Sequence, residues 1–199
     1  MPYEYRKMTL QEREAILRER RLRGYPFHSP PHPFRQGYRY LLTAVNFDHT
    51  PIMASPERRT EFAARLLSVM RDIGAEVHGW AVLPNHYHAS VAVQSLDIVP
   101  GALKRLHGTT SREWNLEDGQ SGKRKVWYKF TDRVIRDDRG FYQALNYIHF
   151  NPLKHGYVTD VYHWQWSSIH DYCEAYGPEW LRKKWKAQPI GDFGKGWDD

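Results

Sequence analysis

Two short stretches carry side chains with the means to do chemistry. In PNHYH, residues 84–88, His86 and His88 stand two apart. On a strand such residues face the same side, so the two imidazoles project together while Tyr87 points the other way. Paired imidazoles on one strand face form half of a divalent-metal site. Alone, the pair fits two polar residues on a wet sheet face just as well. In YIHFNPLKHG, residues 147–156, Tyr147 and Asn151 stand four apart and share a helix face. Gln143 extends that stripe by a turn, Leu145 and Ile148 point elsewhere, and Pro152 is expected to end the helix. Alone, this stretch fits a half-buried tyrosine followed by a capping asparagine. Together the two stretches say more. His86, His88 and the amide oxygen of Asn151 supply three ligands for a cation and leave its other positions to phosphate oxygens and water. Tyr147 then stands one helical turn away, placed as a nucleophile.

These residues need a frame that brings strand and helix together. Residues 38–47, YRYLLTAVNF, read as a strand. Residues 56–74 repeat Phe62, Ala63, Leu66, Leu67, Met70 and Ile73 at helical spacing. Residues 76–83 and 87–93 read as two strands joined around Pro84 and Asn85, and residues 99–114 as a weakly striped helix. A polar loop at 117–124 leads to a strand over 126–135 and a helix over 137–151. The order strand, helix, strand, strand, helix, strand, helix predicts an α+β fold. It is a ferredoxin- or RRM-like antiparallel sheet with helices packed on it. Residues 1–36 read as a basic helical arm, with Thr9 and Glu12 as a capping box, and a proline-rich linker, YPFHSPPHP. The catalytic domain is expected over 37–156, and 157–199 as a tryptophan-rich extension and tail.

Composition narrows the classes. With 8 Trp, 13 Tyr and 8 Phe in 199 residues, the chain is too aromatic for disorder. No apolar run is long enough for a membrane helix, and the charged N-terminus lacks the apolar stretch of a secretory signal. Cys173 is the single cysteine, so an intramolecular disulfide and a cysteine-based zinc cluster are excluded, and a cytoplasmic setting is expected. The net charge of +6 is unevenly spread. Nine cations against four acids lie in residues 101–136, interleaved with Trp114, Trp127, Tyr128 and Phe130. Cations for phosphates and ring faces for bases suit single-stranded nucleic acid. Lys104, Arg105, Arg112, Lys125, Trp127, Lys129 and Arg133 are the expected DNA contacts.

PNHYH after a strand, a basic and aromatic strand ending DRVIRD, YIHFNPLKHGYV and HWQWSSIHDY follow in order. In this the chain resembles the REP-associated tyrosine transposases, single-tyrosine members of the HUH endonuclease superfamily, over about residues 35–175. The resemblance implies that His86 and His88 are the paired metal-binding histidines, Tyr147 the nucleophile and Asn151 the third ligand. Wider relatives often carry glutamine at that last position. It also implies a Mg²⁺ or Mn²⁺ cofactor, and with mixed histidine and amide ligation Mn²⁺ is expected to bind at least as well as Mg²⁺. The implied partner is single-stranded or hairpin DNA of REP-like repeats, cut through a 5′-phosphotyrosine bond, by a nucleoid-associated monomer or homodimer. Two other classes compete. A non-catalytic RRM-like binder needs exposed aromatics on its central strands, where this chain has His86 and His88. A zinc hydrolase needs His149 or His155 beside that pair, and His149 is expected to point away from the Tyr147 face.

Overall fold

The computed structural model describes residues 38–120 and 124–195, together with positions 9, 11 and 18. The rest of the arm helix expected over 9–23, and the linker over 25–33, lie outside the described residues. Four strands form the sheet: β1 (Tyr38–Val45), β2 (Glu76–Val82), β3 (His86–Val93) and β4 (Thr131–Ile135). Their order is β2-β3-β1-β4, and every neighbouring pair is antiparallel. Helix α1 (Pro56–Asp72) connects β1 to β2, and α2 (Ile98–Glu117) connects β3 to β4. After β4 come α3 (Asp138–Lys154), α4 (Ile169–Tyr176) and α5 (Pro178–Ala187). This is the expected ferredoxin-like α+β architecture.

Local chemistry sets the elements. Ser55 caps α1 by accepting from the Arg58 backbone N–H at 3.2 Å, and Pro56 sits in the first turn, where its missing N–H costs nothing. Gly74, at φ +68°, turns the chain out of that helix. Asp137 caps α3 by accepting from the Gly140 N–H at 2.7 Å.

The sheet has two faces with different fillings. Tyr40, Leu42, Tyr87, Ala89 and Val91 pack with α1 and α2 around Phe62, Leu66, Leu103 and Trp114. On the other face Leu41, Ala81, Leu83 and Ile135 pack with Ala144, Tyr147 and Ile148 of α3. Gly79 permits that approach, since a β-carbon there would lie 2.6 Å from Leu145 Cδ1. The outer edge of β2 is covered by the chain after α3. Val82 N–H donates to Trp166 O at 2.9 Å, and Ser168 N–H donates to Trp80 O at 2.9 Å.

Two local expectations are corrected. Helix α3 does not stop at Pro152 but runs to Lys154. The proline falls in the last turn, where its missing N–H removes one ladder bond, to Ile148 O, and no more. Residues 126–130 are not a strand. They are held by a single bridge, Trp127 to Asn46, and by Tyr128 N–H donating to Val45 O at 2.9 Å.

Candidate active site

The site lies where the start of β3 meets the last two turns of α3. Alternation on β3 sends His86, His88 and Ser90 to the α3 side, all fully buried. Tyr147 and Asn151 come down from α3 on one stripe, 2% and 0% exposed. The four residues converge: His86 Nε2 lies 2.8 Å from Asn151 Oδ1, the His86 and His88 rings are 5.0 Å apart, and the His88 and Tyr147 rings are 5.0 Å apart.

Each histidine is oriented through its other ring nitrogen. Asn85 Oδ1 lies 2.7 Å from His86 Nδ1, and Thr43 Oγ1 lies 2.8 Å from His88 Nδ1. Thr43 reaches that place because β1 pairs it directly with His88. Such partners fix tautomer and ring angle, as they do around metal-ligating histidines. His86 Nε2 and Asn151 Oδ1 stand side by side, both atoms of a kind that can ligate a cation. Two adjacent ligands of an octahedral divalent ion at ~2.1 Å stand ~3 Å apart, so the observed spacing suits such an ion.

Neither Asn85 nor Thr43 was expected as a site residue. Asn85 stands next to the histidine pair in sequence, whereas Thr43 depends on strand register and has no local signal. His155, at the end of α3, also comes close, its ring 5.0 Å from that of His86. His149 points away, as its spacing predicts, with Nε2 3.0 Å from Ser168 Oγ. Burial drives its pKa down to about 3. Among the described residues no three His, Cys, Asp or Glu side chains gather as a metal cluster.

The expected DNA contacts divide. Arg133 pairs across the sheet with Leu41, which places it on the face that carries the histidines. Lys125 and Lys129 are exposed on the segment beside the end of β1, with Lys125 Nζ 4.7 Å from the Phe47 ring centre. Lys104, Arg105 and Arg112 are exposed on α2, which packs on the opposite face of the sheet. Trp127 must be corrected. It is 7% exposed and sits among Phe62, Tyr87 and Trp114, its Nε1–H donating to Thr110 Oγ1 at 3.1 Å. A ring so enclosed has no face to offer a base.

The C-terminal segment closes over Tyr147. Asn146 Nδ2 donates to Gln188 O at 2.6 Å, and Gln143 Nε2 donates to Pro189 O at 3.1 Å. Phe193 meets the Tyr147 ring at 5.8 Å, and the Gly194 backbone lies so close that any β-carbon there would collide with that ring. Lys154 approaches from the helix end, its Nζ 5.5 Å from the Tyr147 ring centre.

A four-stranded antiparallel sheet with a histidine pair on one strand and a tyrosine on the helix crossing it defines an α+β protein with a buried polar site. No family model matches the chain. It is 27% identical over 158 residues to a Haemophilus influenzae protein named as a REP-associated tyrosine transposase, covering 74% of this chain and 89% of that one. It is 28% identical over 110 residues to the REP-associated tyrosine transposase of Escherichia coli, covering 53% of this chain and 61% of that one. The fold matches that of a REP-associated tyrosine transposase solved bound to a REP hairpin, with a TM-score of 0.60 and 20% identity over 74% of this chain and 86% of that one. In sequence the chain is thus similar to proteins named as REP-associated tyrosine transposases, and in fold to a solved one.

Proposed function

We propose that this chain is a divalent-metal-dependent endonuclease and strand transferase for single-stranded DNA, acting beside hairpins of REP-like repeats through Tyr147. The observation that carries the reading is the convergence of His86, His88, Asn151 and Tyr147 from two distant segments of the chain. The names of the relatives, and the hairpin held by the solved neighbour, supply the substrate class.

The Tyr147 oxygen attacks the scissile phosphorus. The bond from phosphorus to the 3′-oxygen breaks as the bond to the phenolic oxygen forms. The phenol gives up its proton, the departing 3′-oxygen takes one, and the 5′ end stays on Tyr147. Reversal by another 3′-hydroxyl rejoins strands without an external energy source. A tyrosine with its ordinary pKa near 10 is a weak nucleophile at neutral pH unless its proton leaves during attack. A divalent ion held by His86, His88 and Asn151 would offset the phosphate charge as it shifts in the transition state. Asn85 and Thr43 keep the two imidazoles aimed, and Arg133 lies on the same sheet face to meet the backbone of the strand.

The test is incubation with hairpin oligonucleotides and Mn²⁺, read on a denaturing gel. A metal-dependent DNA–protein adduct is expected, and cleavage without any adduct would refute the tyrosine mechanism.

A further inference from the structure

Resting on that reading, we propose that the α4–α5 hairpin is a second binding platform, for the unpaired strand that flanks the DNA hairpin. Its surface is built from stacked rings and cations. Gly177, at φ +80°, turns α4 sharply into α5 and brings their aromatic residues together. Tyr176 and Trp180 stack at 4.7 Å with 22° between their planes, and Tyr172 lies nearly parallel to Trp180 at 6.0 Å and 21°. Tyr172 and Trp180 rest an edge on the small core of Ile169 and Leu181, but Tyr176 stands clear of it and is 60% exposed. Lys184 Nζ lies 4.2 Å from the centre of the Tyr142 ring and 5.2 Å from that of Trp180.

Charge complementarity selects the occupant. Helix α5 carries Arg182, Lys183, Lys184 and Lys186 against Glu179, while the acids of α4 are Asp171 and Glu174, so the cations of the hairpin are concentrated on α5. Lysines near parallel ring faces are what a flexible strand needs, the cations meeting phosphates and each ring accepting a base. Tyr172 and Tyr176 also line an open cleft of 560 Å³ whose walls carry Arg71 together with Glu76 and Asp171.

Position fits the same purpose. Tyr142 and Tyr147 share α3, about 7.5 Å apart along its axis. They lie about 140° apart around the helix, so a strand leaving Tyr147 would pass around α3 to reach Tyr142, Lys184 and the ring stack. This platform also supplies the exposed aromatic surface that Trp127, enclosed in the core, does not.

The test compares two oligonucleotides, a bare hairpin and the same hairpin with a single-stranded flank, by fluorescence anisotropy in EDTA so that only binding is read. Tyr176→Ala should weaken the flanked hairpin about fivefold or more and leave the bare one unchanged. Lys184→Glu should do the same with a smaller salt dependence. Melting temperatures monitor folding, and Tyr176→Phe, which keeps the ring, should bind as the unaltered protein does. Equal losses for both oligonucleotides, or no loss for either, would overturn the platform, the second outcome leaving the exposed rings to a protein partner. Adduct formation at Tyr147 is scored separately with Mn²⁺, so failure of the platform and failure of the tyrosine mechanism give different results.

Discussion

Strand β3 sends His86 and His88 to one side of the sheet and Tyr87 to the other, and the two sides use the same residue types differently. On the α3 side the histidines have polar partners, Asn85 and Asn151 on the two flanks of His86 and Thr43 on one flank of His88. On the α1–α2 side Tyr87 and His107 meet at 3.0 Å inside a nest of rings, with His107 stacked on Trp127 at 4.5 Å. Burial raises the Tyr87 phenol far above its ordinary pKa and lowers that of His107. A tyrosine–histidine pair so placed is locked in its neutral form and serves packing. The pair facing α3 is surrounded by oriented dipoles and can meet a charge. Residue type alone therefore does not define a site; the face to which the strand turns it does.

The sharpest break of this comparison is a phenylalanine at each tyrosine. Tyr147→Phe should abolish the covalent adduct, a loss of at least about 1,000-fold, with melting temperature and hairpin affinity unchanged. Tyr87→Phe should form adduct normally and lose about 1 kcal/mol of stability with its bond to His107. An adduct surviving in the first variant, or lost in a folded second one, would reverse the roles of the faces. Next in size is Trp127→Ala, expected to cost about 3–5 kcal/mol in urea unfolding as an aromatic core truncation. Its folded fraction should bind DNA as tightly as before, whereas a selective loss of affinity would restore Trp127 as a base contact.

Thr43→Val tests the orienting partner without touching a ligand. It should raise the Mn²⁺ concentration needed for half-maximal cleavage about 10- to 100-fold, with the fold unchanged. An unaltered Mn²⁺ titration would show that His88 needs no such partner.

The mildest effect concerns pH. His149 is held near pKa 3 in the native state, below its ordinary value of 6.5, and His107 is shifted in the same direction. The unfolded chain takes up these protons first, so this contribution is complete above pH 6.5 and is lost as pH falls from there toward 3. Each histidine should account for up to about 1.4 kcal/mol per pH unit in that window, read as a falling urea midpoint. A midpoint that stays flat from pH 7 to pH 4 would contradict the buried neutral state.

Much of this was legible in the sequence because period reports face. Alternation on β3 predicts that His86 and His88 point together, and the four-residue step on α3 predicts that Tyr147 and Asn151 do. Thr43 was illegible because it reaches His88 through pairing between strands far apart in the chain. Trp127 misled because a cationic stretch with interleaved rings reads the same whether the rings point outward or pack under a helix. The α4–α5 stack was hidden for a related reason, since its order depends on the turn at Gly177 rather than on any periodic pattern. The continuation of α3 past Pro152 shows a breaker acting weakly where few ladder bonds remain to be broken.

Gly194 gives the closed C-terminal segment a thermodynamic meaning. Its φ of +82° and its contact with the Tyr147 ring leave room for hydrogen alone, so the closed arrangement exists only while that position is glycine. Under the proposed mechanism, strand access to Tyr147 would be a population, the fraction of molecules in which Phe193 and Gly194 have lifted away. A closed state favoured by about 2 kcal/mol would leave about 3% of molecules competent at any moment and scale down the apparent rate by the same factor. Under the proposed mechanism the hydrogen atom at this one position would set how often a strand can reach Tyr147, far in sequence from the histidines.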